Sequence, residues 1–286
     1  MFSSALLVYG SHNIEHQLYK SIWEKMQAWN AYAKRLHDQI LAAESECAAY
    51  ADVCWAVSTQ DAVALRELHA REVLIAPNGC RTFPPRQSAP GLPAHPYVLF
   101  VGGHYQPNID GFLEWSGPSL SYLPPRSAVI VAGAAGDVLA QMPCYQADLQ
   151  QGRMINFGKT PQALLDQLIL HANAVILPIS QGGGTNLKTA EALRSRRPLI
   201  ATSASMRGFE MWQHDQHTYI ASSKEDFHQA IERYLSHPFV TDCDRPALDT
   251  LGWEHSLDQA VATTLSHQVD REPHGHRAHS GVSIEN

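Results

Sequence analysis

Residues 174–202 read AVILPISQGGGTNLKTAEALRSRRPLIAT, and this stretch decides the fold. Ala174 to Pro178 is a short apolar run with the length of a buried strand, and Gly182-Gly183-Gly184 breaks it. Thr185 to Arg194 carries helical spacing, with Leu187, Ala190 and Leu193 on one side. Pro198 to Thr202 is a second apolar run. Strand, glycine loop, helix and strand make one βαβ unit of a parallel sheet. In such sheets ligands gather at the carboxyl ends of strands, where this loop lies. Three successive glycines let backbone N–H groups approach a ligand with no Cβ in the way. The helix behind them directs the positive end of its dipole at the same place. An anion, most often a phosphate, is the natural occupant.

Lys188 and Glu191 are three residues apart and share a face of that helix. Lys188 can meet a phosphate as a point charge, and Glu191 can accept two hydrogen bonds from a vicinal diol such as a ribose. Together they point to a nucleoside diphosphate. The same spacing also fits a solvent-facing helix pair behind a loose glycine turn, and spacing leaves both readings open.

Working outward, strands alternate with helices along the whole chain. On the amino-terminal side, strands are predicted at 5–9, 53–57 and 73–76. A long helical stretch from Leu18 to Cys47 should break near Trp29 to Tyr32, and a helix capped by Ser58 should run to about His69. Pro77-Asn78-Gly79 is a turn. Five prolines and Gly91 between Thr82 and Pro96 predict a stiff linker. Beyond it, strands are predicted at 97–101, 128–132, 154–157, 174–178, 198–202 and 219–222. Helices are predicted at 108–115, 161–172, 224–236 and 251–265. The domains read as 1–81, 97–240 and a crossing-over helix within 241–266. A polar tail, 267–286, carries His274, His276 and His279 and reads as solvated. This alternation means a doubly wound α/β architecture.

Composition narrows the function. The 286 residues are 44% hydrophobic with net charge −7, which allows real cores and argues against a nucleic-acid partner. The five cysteines are odd in number and form no CxxC pair, which fits a reduced, cytoplasmic setting. No apolar run approaches the ~20 residues of a membrane span. Asp and Glu are scattered along the chain, and no dedicated metal site is expected. Gly133-x-x-Gly136 lacks a full GxGxxG and is weak support for a dinucleotide or methyl-donor site.

The run QGGGTNLKTAEALRSRRPLIAT resembles the donor-binding segment of GT-B glycosyltransferases, family 4 in particular, with its Gly-x-Gly-Thr-x-Leu-Lys-x-x-Glu-Ala-Leu order. His12 at a strand end, Ala51-Asp52-Val53-Cys54-Trp55-Ala56-Val57-Ser58 and Pro77-Asn78-Gly79 resemble the family in the same order, so the likeness covers roughly residues 5–260. The resemblance implies two Rossmann-like domains facing a cleft, with the amino-terminal one truncated by some four strands. It implies retaining transfer from a nucleotide-diphospho-sugar, with no separate cofactor and no metal. A carbohydrate or lipid-linked acceptor is implied, with peripheral membrane contact through the missing region. It places the diphosphate at Gly183, Gly184, Thr185 and Asn186 with Lys188, the ribose on Glu191, and the base at Gly158. Gly102 and Gly103 lie on the facing loop, Arg207 is a second cation, and His12 stands beside the acceptor. The family's Arg and Lys after Gly102-Gly103 are replaced by His104, Tyr105 and Gln106, and the first Glu of its Glu-x7-Glu pair is Gly183. A nucleotide-sugar epimerase, or a non-catalytic nucleotide-binding remnant, would share this architecture.

Overall fold

The computed structural model describes residues 5–180, 185–237 and 246–269. The expectations placed on Gly183, Gly184 and the tail histidines lie outside these residues. Two parallel sheets organise the chain. The first holds β1 (Val8–Ser11), β2 (Val53–Ala56) and β3 (Val73–Ile75), paired in that order. Its register sets Val8 opposite Val53 and Cys54 opposite Val73. The helices between are α1 (Glu15–Lys25), α2 (Ala31–Tyr50) and α3 (Thr59–Glu67).

The second sheet holds β4 (Tyr97–Val101), β5 (Ala128–Ala132), β6 (Met154–Gly158), β7 (Ala174–Leu177), β8 (Leu199–Thr202) and β9 (Thr218–Ala221). Its spatial order is β6-β5-β4-β7-β8-β9, all parallel. Helices α4 (Gln106–Ser116), α5 (Ala134–Ala140), α6 (Gln146–Gln150), α7 (Gln162–His171), α8 (Leu187–Arg194) and α9 (Lys224–Ser236) connect the strands. The apolar runs YVLFV, AVIVA, AVIL and LIAT sit where both faces are covered, so they need no polar alternation. Leu168, Ala190 and Leu193 bury against one face of the sheet, and Phe112, Leu139 and Phe227 against the other. The chain winds outward from β4 to β6, then restarts at β7 on the other side of β4. That reversal leaves a crevice between the loops after β4 and β7.

Several boundaries differ from the sequence reading, each for a local reason. β1 begins at Val8, because Leu7 is 55% exposed and its N–H is taken by Asp52 Oδ2 at 2.9 Å. The break between α1 and α2 contains Gln27 at φ 54°, and the Asn30 side chain caps α2 by accepting from Tyr32 and Ala33 N–H. Ser58 caps α3 by accepting from Asp61 N–H at 3.1 Å. α8 starts at Leu187 with Asn186 as its flanking residue, not at Thr185. Its buried arc is Thr189, Ala190, Ala192 and Leu193. Leu187 lies across the helix and is 47% exposed, against the expectation that it shares the core face.

The last helix is also corrected. Residues 246–251 form a 3-10 turn, followed by α10 (Trp253–Ser256) and α11 (Asp258–Val269). The predicted span is broken at Leu257, between α10 and α11, and near its start at Gly252, which bridges to Cys80. Cys80 N–H donates to Leu251 O at 2.8 Å, and Trp253 N–H donates to Cys80 O at 3.1 Å. α11 then returns to the first sheet, where Trp55 Nε1 donates to Thr264 Oγ1 at 2.9 Å. The proline-rich 82–96 segment is tied to α7. Gln87 N–H donates to Gln167 Oε1 at 2.8 Å, and Gln167 Nε2 donates to Pro85 O at 3.1 Å.

Candidate functional site

A cavity of about 260 Å³ opens at the crevice between the two loops. The loop after β4 and the start of α4 contribute Tyr105 and Asn108, and the loop before α8 contributes Thr185, Asn186 and Lys188. Asn13 and Leu18 close it from the first sheet, and Arg207 closes it from the loop after β8. Its described lining carries amides, hydroxyls and two cations, and no carboxylate.

Each polar group is held by a specific neighbour. Lys188 Nζ donates to Asn108 Oδ1 at 2.6 Å, and Asn108 Nδ2 donates to Gly103 O at 3.1 Å. Asn108 is itself buried, so this chain locks the two loops together. Burial pushes the Lys188 ammonium down to about 8, with Glu191 opposing the shift. Thr185 Oγ1 accepts from Asn78 Nδ2 at 2.5 Å, a contact that spans the two sheets. Gly208, at φ 79°, lies against the Thr185 methyl, where a side chain would collide. The Asn186 side-chain nitrogen is buried without a hydrogen-bond partner among the described residues. A buried amide donor left unpaired costs free energy unless a ligand or water accepts from it. Arg207 is half-buried. Burial lowers its pKa, and Asp61 is the largest opposing influence.

Glu191 lies off the lining of this cavity. Its Oε1 is 3.6 Å from Arg81 Nε, and Arg81 Nη2 is 2.5 Å from Asp166 Oδ1. Burial raises the Glu191 carboxyl above its ordinary value. Arg81 opposes that first, Asp166 adds to it, and Lys188 opposes it.

The remaining residues named from sequence are placed differently. Gly102 is buried, with its N–H donating to Ala132 O and its carbonyl accepting from Ala135 N–H. A Cβ there would collide with Ala135 and Phe100. Gly103 is exposed, with open space where a Cβ would stand. Gly158, at φ 52°, ends β6. Its N–H donates to Asn156 Oδ1 at 2.7 Å and its carbonyl accepts from Gly133 N–H at 2.6 Å. His12 is exposed just past β1 and is not on the lining of the cavity, whereas Asn13, the next residue, is.

A second cavity of about 380 Å³ adjoins the first and shares Leu18 and Arg207 with it. Gln17 and Ser21 of α1, the start of α3 from Ser58 to Asp61, and Glu210 line it. Asp61 is buried, its carboxyl raised by that burial, with Ser58 and Arg207 opposing.

Sequence reasoning missed Asn78, Asn108, Arg81 and Asp61 as site residues. Asn78 was visible only as a turn residue. The contacts that recruit Asn78 and Asn108 run across 107 and 80 positions of the chain, a distance that periodicity does not reach. Among the described residues no group of three or more His, Cys, Asp or Glu could hold a metal ion. No helix there is long and apolar enough to cross a membrane.

The profile of the family described as glycosyl transferases group 1 matches residues 95–237. Among solved structures, the chain is similar to sucrose-phosphate synthase from Thermosynechococcus elongatus, with TM-score 0.67 and 19% identity over 92% of this chain and 67% of that one. It is similar to Anabaena HepE in complex with UDP and glucose, with TM-score 0.60 and 15% identity over 92% and 72%. It is also similar to WaaG, a glycosyltransferase involved in lipopolysaccharide biosynthesis, with TM-score 0.56 and 13% identity over 94% and 72%. These likenesses show the fold, a GT-B-like pair of Rossmann-like units. No curated protein sequence matches the chain.

Proposed function

The chain belongs to the glycosyl transferases group 1, and from that premise we propose that it moves a sugar from a nucleotide-diphospho-sugar to a hydroxyl of an acceptor, with retention. The observation that carries the reading is the cavity at the β4–β7 reversal. There a partly buried lysine, a half-buried arginine and an amide donor unpaired among the described residues converge beside a helix start, with no carboxylate on the described lining to repel an anion. That lining suits negative charge growing on a leaving diphosphate, which buried preorganised donors stabilise strongly. Anabaena HepE, of the same fold, has been solved with UDP and with UDP-glucose.

In this reading Thr185, Asn186 and Lys188 hold the diphosphate, with Gly183 and Gly184 preceding them. Glu191 accepts from the ribose, Gly103 and Gly158 flank the nucleotide, and Arg207 lies between donor and acceptor. The second, hydroxyl- and carboxylate-lined cavity suits a carbohydrate acceptor, and His12 at the end of β1 orients it. The enzyme works in the cytoplasm, at the inner membrane face where the acceptor is lipid-linked. The donor itself is the nucleotide source, so no further cofactor is needed.

Titration calorimetry with UDP and GDP, followed by a transfer assay with the better nucleotide's sugars, tests this. Lys188→Met should weaken nucleotide binding by about 10- to 100-fold, the weight of a hydrogen bond to a charged group. If wild type binds neither nucleotide, or Lys188→Met binds as wild type does, the donor site lies elsewhere. Release of free or epimerised sugar in place of transfer would mark a different reaction at the same site.

A further inference from the structure

We propose that Arg81 is the positioning residue for Glu191: it holds that carboxylate in the orientation that accepts from the donor's ribose, and ties this orientation to the first sheet. The inference rests on the assignment of Glu191 to the ribose made above.

Three features support it. The first is a fixed origin. Cys80, just before Arg81, is pinned by Leu251 O, by Trp253 N–H and by Arg194 Nη1, which donates to Cys80 O at 2.9 Å. The second is a fixed guanidinium. Its Cζ lies 4.6 Å from the centre of the Phe83 ring, and its two ends reach Asp166 of α7 and Glu191 of α8. A planar fork can serve two carboxylates at once, which a lysine's point charge does not reproduce. The third is what Glu191 would face without it. Asp166 would repel it, and Lys188, on its own helix, is already committed to Asn108. The Cys80 thiol, pushed up to about 11 mainly by burial, also feels the Glu191 charge. The acids on the elements packed against α8, Asp249 and Glu254, are taken by Arg196 and Arg194.

Arg81 thus opposes the two influences that favour a neutral Glu191, burial and Asp166. Its loss should protonate Glu191 at a higher pH and turn its side chain.

Full-length chains carrying Arg81→Gln, Arg81→Lys, Glu191→Gln and the Arg81→Gln/Glu191→Gln pair would be titrated with UDP, GDP and their 2′-deoxy counterparts at about pH 5.5 and pH 7.5. Arg81→Gln should bind the preferred ribonucleotide about tenfold more weakly at the higher pH, and weaker still at the lower. It should lose the ribo-over-deoxy preference, and the double variant should be no weaker than Glu191→Gln. Arg81→Lys should recover part of the preference at the higher pH, a rescue that a purely structural role would not require. Should Arg81→Gln fail to fold, Arg81→Lys carries the test: a preference and pH profile equal to wild type would overturn the inference. So would a preserved preference in Arg81→Gln, or additive losses in the double variant, while leaving the ribose assignment standing. Wild-type behaviour in Glu191→Gln, or a wild type that binds neither nucleotide, would overturn both.

Discussion

The two parallel sheets bury their strands to different degrees. In the six-stranded sheet β5, β7 and β8 are buried along their whole length, and a core lies on each face. In the three-stranded sheet β1 and β3 are only partly covered, and one modest cluster around Cys54, Ala56 and Leu65 holds the layer. The thinner layer is fastened to the thicker one at a few points: Trp55 to Thr264, Asn78 to Thr185, and Cys80 to the turn before α10. The comparison teaches a division of labour. The sheet with surplus core supports a partly buried ammonium and a half-buried guanidinium at its edge, while the thin layer supplies walls and fasteners.

The largest test of that contrast is Phe112→Ala. Phe112 is fully buried between Phe100 and Tyr145, and its truncation should cost about 3–5 kcal/mol in denaturant unfolding. Leu65→Ala, in the small cluster, removes a fully buried side chain from a layer better able to collapse, so about 2–3 kcal/mol is expected. A larger loss for Leu65→Ala than for Phe112→Ala would reverse the ranking of the two sheets.

The Lys188 ammonium sharpens the comparison through pH. Lys188 titrates near 8 in the folded chain, against 10.5 for an ordinary lysine. Below about 8 it is charged and should favour an anion, so nucleotide affinity should fall as pH rises from about 7 to 9. Calorimetry in buffers of different ionisation enthalpy should detect proton uptake on binding near pH 8. The sign for stability is opposite. Between the two values the unfolded chain binds the extra proton, so Lys188's share of stability rises with pH through that window. A flat affinity profile would place the charge outside the anion's reach. The smallest effect belongs to a fastener. Trp55→Phe deletes the hydrogen bond to Thr264 and should cost about 0.5–1.5 kcal/mol, most visible as faster exchange of α11 amides.

The six-stranded sheet was legible because each of its strands is a continuous apolar run between helical repeats, and none of the six was misplaced by more than a residue or two. Thr185, Asn186, Lys188 and Arg207 were legible as candidates for one place because three of them lie in one local motif and the fourth follows a strand end. The structure gathers all four on one cavity. Leu187 misled because helical spacing names a face without saying where the helix starts. The start of the final helix misled because the backbone pairing of Cys80 with Gly252, which displaces it, involves residues far apart in sequence. Arg81 was unreadable for the same reason, since its partners on α7 and α8 meet only in the folded chain.

The return of α11 to Trp55 has a consequence for how the molecule is made. A ribosome delivers β1, β2 and β3 first, yet the residue that fastens this layer from behind emerges some two hundred positions later. Domains whose contacts are sequence-local can settle during synthesis, and those closed by a distant segment must wait. The six-stranded sheet is drawn from one uninterrupted stretch, whereas the layer made first is the one completed last. Arrested nascent chains ending before and after α11 should therefore differ in protease resistance at α1–α3 and agree in the six-stranded sheet. Equal protection of α1–α3 in both would mean that the early strands stand without their late clasp.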